Sequence, residues 1–388
     1  MNNKPGKWSA AFGITFVWFT TQFGGGFASG AQLKSYFIKY GVYCLWTCIG
    51  AQVICAIYNW YIARYARKHE LYDYKSYNDT FYGKYSLIFS NLFEIVYIFT
   101  LLVVPAVAFA TGGATFAQLT GIPYMVCTAI IGVFIFVTAV YGTAVVRKVA
   151  TILSIAIVVG LLAVFVPNII VQWDKVMEGI ATLKSQDASA GPAIWSMILY
   201  AAFQFASSPA IHSQHSEALG DYKDADFTYI LACIVNSVMI FISTLGLMAI
   251  INNPEYADAS VPVLILVQNG VGASVLTPII SALIVLGAVS TAVNMISAGE
   301  ARIMKVIDKS FDTDGKPTRN SILVTLVLTL VGFFVAQFGL LPLVSKGYSI
   351  LAYLAFPVIA VPYIIHAVVT KFDSEKGIEK REVAESRV

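Results

Sequence analysis

Long apolar runs alternate with short polar ones along the whole chain. A helix needs about 20 largely apolar residues to cross a bilayer. Ten such spans can be placed, at 8–39, 42–65, 86–117, 122–142, 146–170, 192–218, 226–252, 274–307, 319–338 and 346–371. The segment 66–85 is polar and aromatic and predicts a loop with a short helix. The segment 171–190, with Trp173, Asp174 and Lys175, predicts a connection on the opposite surface. The segment 253–273 holds Pro254 and Pro262 and predicts a cap that folds back. Residues 373–388 form a charged tail.

Two spans break their own pattern. In the first, Gln22–Gly30 reads QFGGGFASG. Each glycine costs about 1 kcal/mol relative to alanine in a helix interior, so three in succession predict an interruption. In the sixth, Phe203-Gln204-Phe205-Ala206-Ser207-Ser208-Pro209 predicts another. Phe-Ala-Ser occurs at both, 27–29 and 205–207. Five spans precede the second break, so the two halves run in opposite senses. The chain divides into a first five-helix half (1–172), a connector (173–190), a second, inverted half (191–372) and the tail. Interrupted helices at matching places in inverted halves are a sequence pointer to a transporter's binding site. Unwound backbone at membrane depth requires protein or a water-filled cavity around it. The bland alternative is close helix contact through small residues.

Composition agrees with the membrane reading. The 388 residues are 58% hydrophobic and 12% charged, against about 25% charged in soluble domains. Lysine and arginine set the orientation. With the N-terminus inside, only Lys34, Lys39, Lys175, Lys184 and Lys346 of the 25 fall outside. The positive-inside rule then places both termini in the cytoplasm. The first run has no small-residue cleavage site and outlasts a signal sequence, so it reads as a retained helix. Cys44, Cys48, Cys55, Cys127 and Cys233 form no metal-binding pattern. No nucleophile–base pair or nucleotide loop stands out, so neither an enzyme nor a nucleic-acid binder is expected.

Candidate chemistry concentrates near the breaks. Ser290 and Thr291 sit mid-way along the eighth span and offer two oxygens to a small hard cation. Their alternative is hydrogen bonding back to the preceding turn. Glu94 is an acid well inside the third span, and intramembrane carboxylates are functional candidates by default. It can carry a proton, hold an amine, or pair with a base such as His212; its depth suggests gating. His212 and His215 share a helix face at i, i+3 spacing and, with Glu217, raise a metal reading.

Ten spans in two inverted halves with broken first and sixth helices resemble the amino acid–polyamine–organocation superfamily and its leucine-transporter fold. The Gly24–Gly30 stretch is similar to the signature of the YkvI-type family of amino acid permeases. The resemblance covers residues 8–371. It implies a secondary transporter in a bacterial cytoplasmic membrane that imports a small amino acid or related zwitterion or amine. It implies no cofactor beyond a sodium ion, held by the carbonyls of Thr20, Phe23 and Gly287 and the hydroxyls of Ser290 and Thr291. Phe27 stands where neurotransmitter-type relatives bind a second sodium. Substrate contacts are implied for Gly24, Gly25, Gly26, Phe27, Ala28 and Ser29 in the first break. In the sixth helix they are Phe203, Phe205, Ala206, Ser207 and Ser208, and on the third Tyr97 and Thr100. Proton coupling and a non-transporting receptor of the same fold remain as alternatives. Divalent-metal transport ranks last, because the acidic first-helix break of metal-transporting relatives is absent here.

Overall fold

The computed structural model describes residues 6–141, 143–308 and 317–374. Among them every regular element is helical. The first span is three pieces, α1 (Lys7–Gln22), α2 (Gly25–Ala28) and α3 (Ala31–Tyr36). α4 (Cys44–Lys68) is the second span, and α5 (Tyr74–Tyr82) is the short helix of the following loop. α6 (Ser86–Thr120), α7 (Tyr124–Tyr141) and α8 (Thr143–Val171) complete the first half. α9 (Trp173–Ser185) is the connector helix, turned 87° from the end of α8. The sixth span is α10 (Ala190–Phe205) and α11 (Ser208–His215). Then come α12 (Asp224–Leu247), the short α13 (Pro262–Gln268), α14 (Ala273–Ile307) and α15 (Arg319–Ala336). The last span, α16 (Leu340–Val369), contains wide π turns at Leu343–Gly347 and Phe356–Ala360.

Among the described residues, seven helices are long and apolar enough to cross a membrane, and nine when two bent pairs are included. The first span, in three short pieces, is not among these nine. The outward faces carry large exposed apolar side chains such as Leu87, Ile130, Val133 and Val327. In water such a surface would aggregate; here it is the face that meets lipid. The protein is an all-α membrane protein with broken first and sixth helices, as the hydrophobic pattern predicts. The tail expected from 373 onward lies outside the described residues beyond Ser374.

Local chemistry explains several boundaries. Asp73 caps α5 by accepting from the Ser76 N–H at 2.9 Å, and hydrogen bonding from Ser76 holds its carboxyl below the usual range. Thr318 and Ser321 form a reciprocal cap on α15, which satisfies two otherwise orphaned groups. Gly121, at φ +71°, closes α6 in the left-handed conformation that glycine adopts without penalty.

The helices pack in two groups. α4 and α1 both lie along α12, while α6 lies along α14, α7 and α15. α10 packs between α4 and α16. At one end the chain is basic: Arg64 pairs with Asp226 at 3.1 Å, and Lys68 with Asp373 at 2.9 Å. Burial pushes the Asp373 carboxyl up, but hydrogen bonds from His69 and Lys68 outweigh it and leave it below its ordinary value.

At the other end, α13 is the expected cap. Pro262–Val267 are all buried, and the Val263 N–H donates to the Ser29 carbonyl at 3.1 Å. Lys34 Nζ donates to the carbonyls of Tyr256, Ala257 and Ala259 at 2.8, 2.8 and 3.0 Å. Between them Gly30 sits at φ +84°, where an added Cβ would stand 3.1 Å from Val263 Cγ2. Gly30→Ala should therefore cost about 1–3 kcal/mol, from left-handed strain plus crowding. Thermal unfolding in detergent would measure it, and an unchanged midpoint would contradict this account.

Candidate functional site

The first span is interrupted twice. α1 ends because Phe23 leaves the helical region at φ −96°, ψ 32°, while its N–H still reaches the Phe19 carbonyl at 2.7 Å. α2 is a single turn in which Phe27 and Ala28 both donate to the Gly24 carbonyl at 3.0 Å. The second interruption is at Ser29 and Gly30. Ser29 Oγ donates to the Gly26 carbonyl at 2.7 Å and accepts from the Ala31 N–H at 3.2 Å. The sixth span bends by 57° at its break. There Ser207 and Ser208 Oγ both donate to the Gln204 carbonyl, at 3.3 and 3.1 Å. Pro209 lies in the first turn of α11, where its missing N–H costs nothing.

Between the two breaks lies a cavity of about 80 Å³. At roughly 30 Å³ per water, that is room for two or three waters or a very small solute. Of the residues expected to contact substrate, Gly24, Gly26, Phe27, Thr100, Phe203 and Ser207 line it. Ala28, Ser29, Ala206 and Ser208 belong to the breaks but are not among the residues described as lining the cavity. Phe205 turns away to stack on Tyr58, with centroids 3.9 Å apart. The Phe23 and Phe27 rings are 4.1 Å apart, and Phe19 continues the row at 4.4 Å from Phe23. That row is packed core, and only Phe27 reaches the cavity.

The wall also contains residues not singled out from the sequence: Gln22, Gln32, Gln204, Met295 and Tyr348. A signal for two of them exists. Gln22-Phe23 and Gln204-Phe205 each close the first half-helix of a broken span. No residue of the wall carries a formal charge among those described.

Two of the candidate ion ligands lie beside Gly24. An ideal Cβ there would stand 3.1 Å from Thr291 Oγ1 and 3.9 Å from the Thr20 carbonyl oxygen. Thr291 Oγ1 donates to the Gly287 carbonyl at 2.9 Å, the back-bond weighed above, and Ser290 is half-buried beside it. Thr20 Oγ1 is likewise bonded to its own helix, at the Val17 carbonyl. The Phe23 ring is buried.

The polar candidates nearer the basic end part company. Glu94 does not meet His212; its partner is Arg302 on α14, which also donates to the Tyr74 hydroxyl. The Arg302 guanidinium lies 5.0 and 4.8 Å from the Tyr74 and Tyr97 ring centroids. Tyr97 is thus part of this cluster and not of the cavity wall. Spacing along the chain could not show it, because α14 supplies Arg302 from 208 residues away. The side chains of Arg147 and Lys148, which the sequence offers as neighbours of Glu300 and Arg302, lie outside the described residues. His212 is buried, with Nδ1 hydrogen bonded to the Tyr229 hydroxyl at 2.7 Å. His215 Nδ1 donates to the Ile211 carbonyl at 2.8 Å. Among the described residues no three His, Cys, Asp or Glu side chains converge as a metal site.

Comparison with solved structures shows the fold. The manganese transporter of Eremococcus coleocola, solved in complex with an aromatic bis-isothiourea compound, is 14% identical with a TM-score of 0.60. The likeness covers 95% of this chain and 81% of that one. Mhp1, a nucleobase-cation-symport-1 family transporter solved closed around bromovinylhydantoin, is 16% identical with a TM-score of 0.54. There the likeness covers 90% of this chain and 78% of the other. At such identities the agreement concerns architecture, here the leucine-transporter fold. No protein-family model and no curated protein matches the chain.

Proposed function

We propose that this chain is a secondary active transporter that imports a small amino acid, or a related zwitterion or amine, by alternating access with sodium. The observation that carries the reading is the small cavity held between two broken helices, with no formal charge among the described residues that line it. A zwitterion has no net charge to compensate, and 80 Å³ suits a small one. The architecture shared with other transporters supports the class of activity. The Gly24–Gly30 stretch supports membership of the YkvI-type permeases. In this reading the basic end faces the cytoplasm, with both termini there, and 1–172 and 191–372 are the inverted repeats.

The sodium would sit beside the cavity, on the carbonyls of Thr20, Phe23 and Gly287 and the hydroxyls of Ser290 and Thr291. In support, Thr291 Oγ1 and the Thr20 carbonyl both lie within 4 Å of where a Cβ on Gly24 would stand. Sodium and solute together would favour closing the α1, α4, α10–α12 group on the α6, α7, α14, α15 group. The shift is limited by their differential affinity for the two states. Replacing Ser290 and Thr291 together by alanine should weaken sodium by about 2 kcal/mol or more, roughly thirtyfold. Sodium titration of uptake in proteoliposomes measures this. An unaltered sodium response in the double variant rules out this site, and uptake driven equally by a proton gradient in its absence favours proton coupling.

A further inference from the structure

We infer that Tyr200 sets the hydrogen-bonding sense of two cavity glutamines, so that the site selects a solute with both N–H donors and a carboxylate or carbonyl acceptor. The inference rests on the reading of this cavity as the solute site. Gln22 Nε2 donates to the Tyr200 hydroxyl at 3.4 Å, and that hydroxyl donates to Gln32 Oε1 at 3.3 Å. All three side chains are buried. The Tyr200 ring is held on three sides, by Tyr36, Phe37 and Phe203 at 5.5, 4.8 and 5.1 Å. Its hydroxyl therefore stays where it is.

A phenolic hydroxyl has a single proton. It can donate to the oxygen of one amide while accepting from the nitrogen of the other. In the structure the two glutamines take opposite senses: Gln22 bonds the hydroxyl through its amino group and Gln32 through its carbonyl. That leaves the Gln22 carbonyl over. Its Oε1 is buried without a hydrogen-bond partner, and an unpaired buried acceptor is costly. Gln32 shows the donor. Its Nε2 would stand 3.4 Å from a Cβ on Gly26, and because Gly26 has none, the way to the cavity is open. A ligand N–H placed against Gln22 Oε1 removes the unpaired acceptor, and a ligand oxygen receives the Gln32 N–H. Neither amide titrates, so this recognition does not depend on pH in the physiological range.

The test uses the full chain in proteoliposomes and counterflow of radiolabelled glycine. The competitors are isomers, so that overall size cancels: alanine and N-methylglycine. The second carries a methyl on nitrogen in place of one N–H donor. The native protein should prefer alanine by about fivefold. Tyr200→Phe frees both amides to turn, and should bring the alanine preference to within about twofold. Gln22→Leu removes the acceptor and should do the same, by an independent route. Equal competition by the isomers in the native protein overturns the inference, and so does a full preference retained in either variant. If no member of the panel exchanges, the amino-acid reading under Proposed function fails, and this one falls with it.

Discussion

Gly26→Leu is expected to abolish solute exchange while leaving the protein folded. A Cβ on Gly26 would meet Gln32 Nε2 and Val107 Cγ1 at 3.4 Å, which is ordinary van der Waals contact. Its backbone is also not left-handed. Replacing glycine in a helical turn by a better helix former gains up to about 1 kcal/mol. The remaining carbons of leucine have the cavity to enter, and a space of about 80 Å³ leaves little once they are in. A neutral or slightly raised unfolding temperature together with loss of counterflow by at least about a hundredfold is the signature. Gly26→Ala sets a single methyl against Gln32 Nε2 and should lower exchange without abolishing it. Persistent exchange in the leucine variant would place the solute elsewhere.

The second large effect is expected at the basic end. Removing one partner of a desolvated ion pair leaves the other uncompensated. Glu94 and Arg302 are about one-third exposed, so the cost is smaller than for a dry pair. Arg302→Gln should destabilise by about 1–3 kcal/mol, with loss of its packing over Tyr74 and Tyr97 included. Glu94→Gln alone should cost less, since arginine keeps the Tyr74 hydroxyl and both rings. In the double variant the charge is gone from both sides, and part of the Arg302→Gln loss should return. A double-variant cycle on thermal unfolding gives the coupling. Additive losses would show that the pair contributes packing alone. Full activity across a pH range in Glu94→Gln would place this cluster in the scaffold that holds α5, outside ion coupling.

The spans were legible because lipid imposes a length on apolar runs that water does not. The boundary of α6 moved from 117 to 120, and that of α16 from 346 to 340. The latter was hidden by Pro342 and Lys346 in a wide turn. The breaks were legible because Gly24–Gly26 and Pro209 are poor mid-helix residues wherever they occur. The cavity wall was less so. Gln22, Gln32 and Gln204 are ordinary polar residues near helix ends, and only the tertiary arrangement brings them together around Tyr200. Glu94 announced itself by depth, but its partner could not be read from the chain. Which side chain faces it depends on the rotation of α14 against α6. Tyr97 was drawn to the cavity by lying one turn further in than Glu94, yet its ring centroid lies 4.8 Å from the Arg302 guanidinium.

The Val263–Ser29 hydrogen bond and the three carbonyls grasped by Lys34 mean that the part of the first span beyond its breaks is lashed to α13 and to the strap that precedes it. The two must travel together whenever the cavity opens at that side. A spectroscopic label on exposed Glu255 would then follow the motion of α3 from a distance, leaving every residue around the solute untouched.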